Sequence, residues 1–248
     1  MIRVAVSGAG GRLAGPIIAA IDSADDLELA SLYNPNRPGQ EIAGVEITPD
    51  PGQVSADVLV ETVGAGYVLD NLRLWDEAGM AAVVGSSGFT AERIELLGEI
   101  WKGDRPCLVV PNFSIGAVLM MRFAREIADK FDAVEIIERH HAHKPDAPSG
   151  TALATALEIG RAGGASIETS RELEEGARGA SVEGVRVHSV RLPGLLSHQE
   201  VVFSNAGEVL SVEHMSTSYE SFAAGALMAI RGVGALSPGV HLGLDAVL

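Results

Sequence analysis

Short apolar runs separated by stretches of helical period dominate the first half of the chain. Ile2–Val6, Leu27–Leu32, Val58–Val60, Ala81–Val84 and Cys107–Val110 are each brief and apolar, and most carry β-branched residues. That is the pattern of strands buried on both faces. Between them Leu13–Ile21, Val68–Ala78 and Ala91–Trp101 read as helices. Thr90 is a suitable N-cap for the last, with Arg93 where a capping box would place Glu. Pro16 fits a helix that begins near Arg12 or Leu13, because the first four N–H groups have no intrahelical partner. Strands alternating with helices specify a parallel sheet with right-handed crossovers.

After Asn112 the rhythm changes. Ile115–Phe131 reads as a long helix, Val134–Arg139 as a strand and Ala152–Arg161 as a helix. Gly163–Gly179 is polar and charged, with Glu172, Glu174 and Glu175, and reads as a mobile or irregular segment, with Glu172–Glu175 either a flexible loop over the site or solvated surface. Val185–Arg191, Gln199–Ser204 and Leu210–Met215 alternate and are broken by Pro193-Gly194 and Asn205-Ala206-Gly207. Such a series predicts an antiparallel or mixed sheet with hairpin turns. Tyr219–Ile230 then reads as a helix capped by Ser218 or Thr217. The expected fold class is α/β, with an N-terminal Rossmann-like dinucleotide-binding domain over 1–112 and 217–248. A smaller α+β domain with a mixed sheet is expected over 113–216; the family resemblance given below implies that it binds substrate and builds the oligomer.

Composition narrows the partners. The 248 residues carry 18 basic and 33 acidic side chains, so the net charge is 18 − 33 = −15. That argues against nucleic acid or an anionic membrane face as the main partner. Cys107 is the single cysteine, which leaves no disulfide framework and no thiolate metal site; its apolar neighbours place it in a buried strand. The N-terminus runs directly into a strand without a signal-peptide pattern, and no apolar run reaches the ~20 residues of a bilayer span. A soluble cytoplasmic protein is expected.

Two segments carry candidate chemistry. Ser7-Gly8-Ala9-Gly10-Gly11-Arg12-Leu13 follows the first strand and opens a helix. A glycine turn there exposes backbone N–H groups to a pyrophosphate, although Leu13 stands where the third glycine of the usual fingerprint would be. A tight turn serving only chain reversal is the plain alternative. The second strand ends in Leu32-Tyr33-Asn34-Pro35-Asn36-Arg37, without the carboxylate that holds the ribose of NAD. Arg37 or Arg12 could then pair with a 2′-phosphate, so NADPH is expected to be accepted; a simply solvated Arg37 is the alternative. Gly85-Ser86-Ser87-Gly88 ends the fourth strand and is placed beside the nicotinamide ribose, with an ordinary strand-to-helix turn as the other reading.

The denser segment is Glu138-Arg139-His140-His141-Ala142-His143-Lys144, followed by Pro145-Asp146-Ala147-Pro148-Ser149-Gly150-Thr151. Glu138 and His140 share one face of a strand, and His141 faces the other way. An imidazole near its own pKa suits general acid chemistry, and Lys144 adds a fixed charge or a second proton source. Ser149 is a candidate N-cap, with the N–H groups of Gly150 and Thr151 available to a carboxylate and no side chain at Gly150 to prevent close approach. A zinc site is disfavoured by the spacing and by Lys144. A solvated polar loop is the remaining alternative to an anion-binding, proton-donating site.

The run from Glu138 to Ala152 resembles the E-x-H-H-x-x-K-x-D-A-P-S-G-T-A signature of the dihydrodipicolinate reductase family (4-hydroxy-tetrahydrodipicolinate reductases), and the resemblance covers essentially the whole chain. Gly8-Ala9-Gly10-Gly11-Arg12 is similar to that family's G-x-x-G-R-M-G, Gly85-Ser86-Ser87-Gly88-Phe89 to its G-T-T-G-F, and Pro111-Asn112-Phe113-Ser114-Ile115-Gly116 to its x-N-F-S-x-G segment. Ala14, Ser86-Ser87, Glu61-Thr62-Val63 and Ala117-Val118 depart from the family pattern. The resemblance implies NADPH- or NADH-dependent reduction of a cyclic dicarboxylate in diaminopimelate and lysine biosynthesis, by a homotetramer. It implies His140 and Lys144 as catalytic residues and His141, Ser149, Gly150 and Thr151 as substrate ligands. It implies Gly8, Gly10, Gly11, Arg12, Leu13, Tyr33, Asn34, Arg37, Gly85, Ser87, Pro111, Asn112 and Phe113 as cofactor contacts. Another two-domain NAD(P) oxidoreductase, of the aspartate or homoserine dehydrogenase kind, and a non-catalytic dinucleotide sensor are the rival readings; neither has a signature in the chain.

Overall fold

The computed structural model describes residues 1–86, 89–168 and 170–248, and the backbone alone of Ala91. Its contacts fall into two compact units, Met1–Ile115 with Tyr219–Leu248, and Gly116–Ser218.

In the first unit, strands β1 (Ile2–Ser7), β2 (Leu27–Tyr33), β3 (Glu41–Ile42), β4 (Val45–Thr48), β5 (Val58–Glu61), β6 (Ala81–Val84) and β7 (Pro106–Val109) are joined by a late strand, Gly239–Leu242. Numbered in chain order that strand is β13, and the sheet runs β13-β7-β6-β5-β1-β2-β4-β3. All its pairings are parallel except β3 with β4. β5, β6 and β7 are buried along their whole length, as strands covered on both faces must be. Helices α1 (Ala14–Asp22), α2 (Val68–Glu77) and α3 (Ala91–Ile100) fill the crossovers. A core of Leu59, Leu72, Trp75, Leu97, Trp101 and Cys107 packs α2 and α3 on the sheet. The chain runs outward from β1 to β2 and β4, then returns to β5 on the other side of β1. The carboxyl ends of β1 and β5 therefore form the reversal point where open parallel sheets bind ligands.

The second unit holds α4 (Ile115–Glu126), β8 (Ala133–His140), α5 (Gly150–Arg161), β9 (Ala180–Val182), β10 (Val185–Arg191), β11 (Ser197–Asn205) and β12 (Glu208–Ser216). Its mixed sheet is ordered β12-β11-β8-β10-β9, with β10 parallel to β8 and the other pairs antiparallel. Val134, Ile136, Val187, Val201 and Phe203 project from one face onto Met120, Ala124, Ala152, Ala156 and Ile159 of α4 and α5. Glu135, Arg139, Arg186, His188, His198 and Glu200 occupy the opposite face.

Several sequence expectations are corrected. The α4 helix stops at Glu126, and a 3-10 turn over Ala128–Lys130 replaces its last part. Tyr219–Phe222 is a 3-10 turn that leads into α6, which spans Ala223–Val233 with Phe222 at its N-cap position. The hairpin of β3 and β4 turns on Ala43 and Gly44, both at positive φ. Without an Asn-Gly or Asp-Gly pair it carried no signal. The described residues of the 163–179 segment are mostly irregular, in keeping with its sequence, and several of its side chains pair with the second sheet. Arg178 pairs with Glu135 of β8, while Glu168 and Glu172 pair with Arg186 of β10 at 2.5 and 3.7 Å.

The α6 helix crosses the first unit at a position that admits no side chain. A Cβ on Gly225 would lie 1.9 Å from the Phe113 carbonyl oxygen, whereas one on Gly98 in α3 would meet nothing within 4 Å. Gly225→Ala is expected to lower Tm by several degrees, from an overpacking cost of about 1–3 kcal/mol. Gly98→Ala should raise stability by about 0.5–1 kcal/mol. Thermal unfolding of both variants checks the pair; an unchanged Tm for Gly225→Ala would show that α6 does not sit against Phe113.

Candidate active site

The glycine turn follows β1 at the reversal point. Gly8 and Gly10 take φ of 84° and 83°, a conformation that excludes most side chains. The N–H groups of Gly8 and Ala9 donate to the Tyr33 carbonyl at 2.9 and 3.2 Å, and that of Gly11 to the Gly8 carbonyl at 3.0 Å. Those amides are therefore spent on shaping the turn. The amides of Gly10, Arg12 and Leu13 remain ahead of α1, where a phosphate would be favoured by donors and dipole together. Asn34 Nδ2 donates to the Ala9 carbonyl at 2.7 Å, which fixes the loop after β2 against the turn. The Arg37 stem lies over Gly10, so that a Cβ there would be 2.8 Å from Arg37 Cδ. Arg12 lies 6.0 Å from the Tyr219 ring centroid. Among the described residues neither Arg12 nor Arg37 forms a salt bridge, so two cations flank the turn uncommitted. This unit fits a dinucleotide, with charge to spare for an additional phosphate.

Several expected cofactor residues have different work. The Tyr33 ring is buried edge-on to Trp75 at 5.3 Å, and the Tyr33 carbonyl holds the glycine turn. Gly85 is small because a Cβ there would lie 2.3 Å from the Phe113 ring and 3.3 Å from Leu13. Phe113 is itself buried, and Asn112 Oδ1 accepts from Ser114 N at 2.9 Å. Gly85 and Phe113 thus form a packed wedge. Pro111 is exposed beside it. Ser87, with Gly88, lies outside the described residues.

The second cluster is built on Glu138, which has no exposed surface. His140 Nδ1 lies 2.5 Å from its Oε2, and the Arg191 guanidinium grips both oxygens at 2.8 Å. The Ser149 amide donates to Oε1 at 3.2 Å. Alternation along β8 puts Glu138 and His140 on the helix-packed face, and parallel pairing places Arg191 opposite His140. Because a carboxylate only accepts, His140 carries its Nδ1 proton toward Glu138; Nε2 then faces the Ser197 hydroxyl at 3.1 Å. Burial works to raise the Glu138 carboxyl, but the His140, Arg191 and Ser189 hydrogen bonds prevail and hold it at about 2 against the usual 4.5. Burial likewise opposes the Asp146 shift, yet the Lys144 ammonium, 2.9 Å from Asp146 Oδ1, leaves that carboxyl below its ordinary range.

The Ser149 side chain caps α5 as expected, accepting from Ala152 N at 3.2 Å. Its amide and hydroxyl oxygen are both occupied and it is almost wholly buried, so a ligand could use only its hydroxyl proton. A Cβ on Gly150 would meet nothing within 4 Å, which leaves the helix start open. His141 lies just past β8 and is partly exposed. Arg191 and Ser197 were not anticipated as members of the cluster, and Asp146, though part of the quoted segment, was given no role. Arg191 sits in phase with Val185 and Val187, but only the β8–β10 pairing brings it to Glu138. Among the described residues no group of three or more His, Cys, Asp or Glu side chains is arranged to hold a metal, and no helix is long and apolar enough to cross a membrane.

Models of the dihydrodipicolinate reductase N-terminus and C-terminus match residues 2–113 and 116–248. The chain belongs to the dihydrodipicolinate reductase family. It is 44% identical to the 4-hydroxy-tetrahydrodipicolinate reductase of Nocardia farcinica, covering 100% of this chain and 98% of that one. It is 42% identical to the enzyme of the same name from Mycolicibacterium smegmatis, over 100% and 99% of the two chains. A dipicolinate-bound dihydrodipicolinate reductase from Paenisporosarcina superposes over all of both chains, with a TM-score of 0.84 and 33% identity. An amine dehydrogenase from Mycobacterium smegmatis, at 15% identity and a TM-score of 0.69 over 100% of this chain and 96% of that one, shares the fold. Members of the family are oxidoreductases that use NADH or NADPH with a Rossmann-like domain, and the glycine turn described above is this chain's version of it.

Because the Glu138 carboxyl is held below its unfolded value, its contribution is fully present above pH ~4.5 and is lost as the pH falls through about 2. Glu138→Gln is expected to cost several kcal/mol at pH 7, since it strands Arg191. The variant should lose less further stability than the parent between pH ~4.5 and ~2. Denaturant melts of both proteins across that range check this; parallel pH profiles would contradict it.

Proposed function

We propose that this chain reduces 4-hydroxy-tetrahydrodipicolinate, by way of dihydrodipicolinate, to tetrahydrodipicolinate in diaminopimelate and lysine biosynthesis. The observation that carries this reading is the Glu138–His140–Arg191 cluster set beside an open helix start, in a chain that matches the family over its full length. Water is lost from the 4-hydroxy form, leaving a conjugated imine. A dinucleotide held at the glycine turn would supply the hydride for reduction at C4, and the chain's own side chains would supply the proton that completes the two-electron reduction.

The chain's residues hold the reactants and move the proton. The amides of Gly10, Arg12 and Leu13 cradle the pyrophosphate at the start of α1, with Gly11 closing the turn, and Arg37 or Arg12 receives a 2′-phosphate. Lys144, oriented by Asp146, donates the proton and pairs with a carboxylate. His140, fixed in one tautomer by Glu138, acts as the general acid or as its orienter. His141 contacts one carboxylate of the substrate, and Ser149, Gly150 and Thr151 receive the other at the positive end of α5. The sheet face bearing Glu135, Arg139 and Glu200, with Val209 and Met215 exposed at 69% and 57%, supports a homotetramer built through it. The cytoplasm is the expected compartment.

His140→Gln and Lys144→Ala should each lower kcat by about 10²–10⁴-fold, with NADPH affinity near that of the parent. Parental turnover in both variants would refute the assignment. Arg37→Ala should raise KM for NADPH more than KM for NADH. An equal change for the two would remove Arg37 from phosphate recognition.

A further inference from the structure

Glu61 is a second carboxylate with no exposed surface, and the chemistry described above does not use it. It ends β5, directly beside the end of β1 at the reversal point of the sheet. Its Oε2 accepts from Trp75 Nε1 at 2.9 Å and from Asn71 Nδ2 at 3.1 Å, both on α2. Its Oε1 accepts from Val63 N at 3.1 Å. Asn71 Nδ2 also lies 3.5 Å from the hydroxyl oxygen of Ser7, the last residue of β1, which pairs with Glu61 across the sheet. One side chain therefore ties together the end of β1, the start of α2 and the loop between β5 and α2.

That loop, Thr62-Val63-Gly64-Ala65-Gly66, lies against the glycine turn. The Thr62 hydroxyl donates to the Ser7 carbonyl at 2.6 Å, and the Thr62 amide donates to the same carbonyl at 3.1 Å. A Cβ on Gly8 would be 2.6 Å from Thr62 Oγ1, so the loop forms the wall that the turn is packed on. Its far end is held by Arg93 Nη2, which donates to the Ala65 carbonyl at 2.6 Å. Two glycines in five residues would otherwise leave such a loop free to vary. Burial drives the Glu61 carboxyl above its ordinary range, with the Trp75, Ser7, Val63 and Asn71 donors acting against that rise. An interior carboxylate is costly to keep, and here its donors all belong to the frame of the turn.

We propose that Glu61 is a positioning residue for dinucleotide binding: by anchoring the 62–66 loop to the end of β1, it holds the glycine turn in the shape that presents the Gly10, Arg12 and Leu13 amides to a pyrophosphate. The side chain is fully buried, so it acts through Val63, Thr62 and Ser7 and touches no ligand itself. The length of Glu is required, because Asp would fall a methylene short of α2. An amide fails differently. With its oxygen turned to Trp75 and Asn71, Gln would present an NH2 group to the Val63 N–H, releasing the loop while keeping the helix.

The inference rests on the dinucleotide reading above, and direct binding separates the two. NADPH and NADH are titrated into the full chain without substrate, for the parent and for Glu61→Gln. The expected result is a parent that binds and a variant whose Kd is raised about tenfold, which is about 1.4 kcal/mol. At saturating dinucleotide the variant's kcat should stay within about threefold of the parent's, because the proton-donating groups are carried by other elements. Trp75 emission should shift in Glu61→Gln and report binding in the parent. A variant that melts earlier yet binds with an unchanged Kd has lost only stability, and that overturns the proposal. If Glu61→Gln does not fold, Thr62→Val releases the same loop from Ser7; an unchanged Kd there is equally decisive against it. A parent that binds neither dinucleotide overturns the dinucleotide reading itself.

Discussion

The second unit is organised by one buried carboxylate. An ionised Glu138 with no exposed surface must be paired and hydrogen-bonded, because a stranded interior charge costs several kcal/mol. Each of its partners fixes a larger element. Arg191 requires β10 to run parallel beside β8 in the observed register. The Ser149 amide requires α5 to begin where it does, so that the open helix start lies beside the histidine. His140 is held in a single tautomer by the same group. The carboxylate thus fixes the His140 ring and the start of α5 together, and loss of one partner would disturb both.

The first unit uses the same device at the end of a different strand. Glu61 joins β1, α2 and the loop between them, as Glu138 joins β8, β10 and α5. Both carboxylates close the carboxyl end of a strand, where the backbone must leave the sheet without wandering. In each case the neighbouring feature offers backbone N–H groups to an anion: the glycine turn in one unit, the start of α5 in the other. Glycine placement follows the same logic, since Gly8 and Gly85 are small for packing against Thr62 and Phe113 and need no ligand to explain them.

Much of this was legible in the chain because it is local. The strands from Ile2 to Val110 show as apolar runs, and the Thr90 and Ser149 caps show as single residues placed before a helix. The glycine turn and the His-Lys segment are contiguous, so their chemistry could be read directly. What stayed hidden depends on pairing. Arg191 reads as one polar end of an alternating strand until β10 is set against β8. Glu61 shows only as a departure from the family pattern until Trp75 and Asn71 fold over it. Tyr33, at the end of β2, gives no local sign that its ring turns inward to Trp75. The β13 strand is a four-residue stretch after a proline, too short to announce itself, and it pairs only because β7 leaves an edge. The partners that the 163–179 segment finds on β8 and β10 are likewise encoded by no local pattern.

The central claim, that this arrangement reduces a cyclic dicarboxylate at the expense of a nicotinamide dinucleotide, is tested most directly with the purified full chain. Oxidation of NADPH and of NADH is followed by absorbance after addition of the freshly made product of dihydrodipicolinate synthase. The account predicts rapid, substrate-dependent oxidation of at least one dinucleotide, with one equivalent consumed for each tetrahydrodipicolinate formed. A rate no higher than the substrate-free control with both dinucleotides would contradict it.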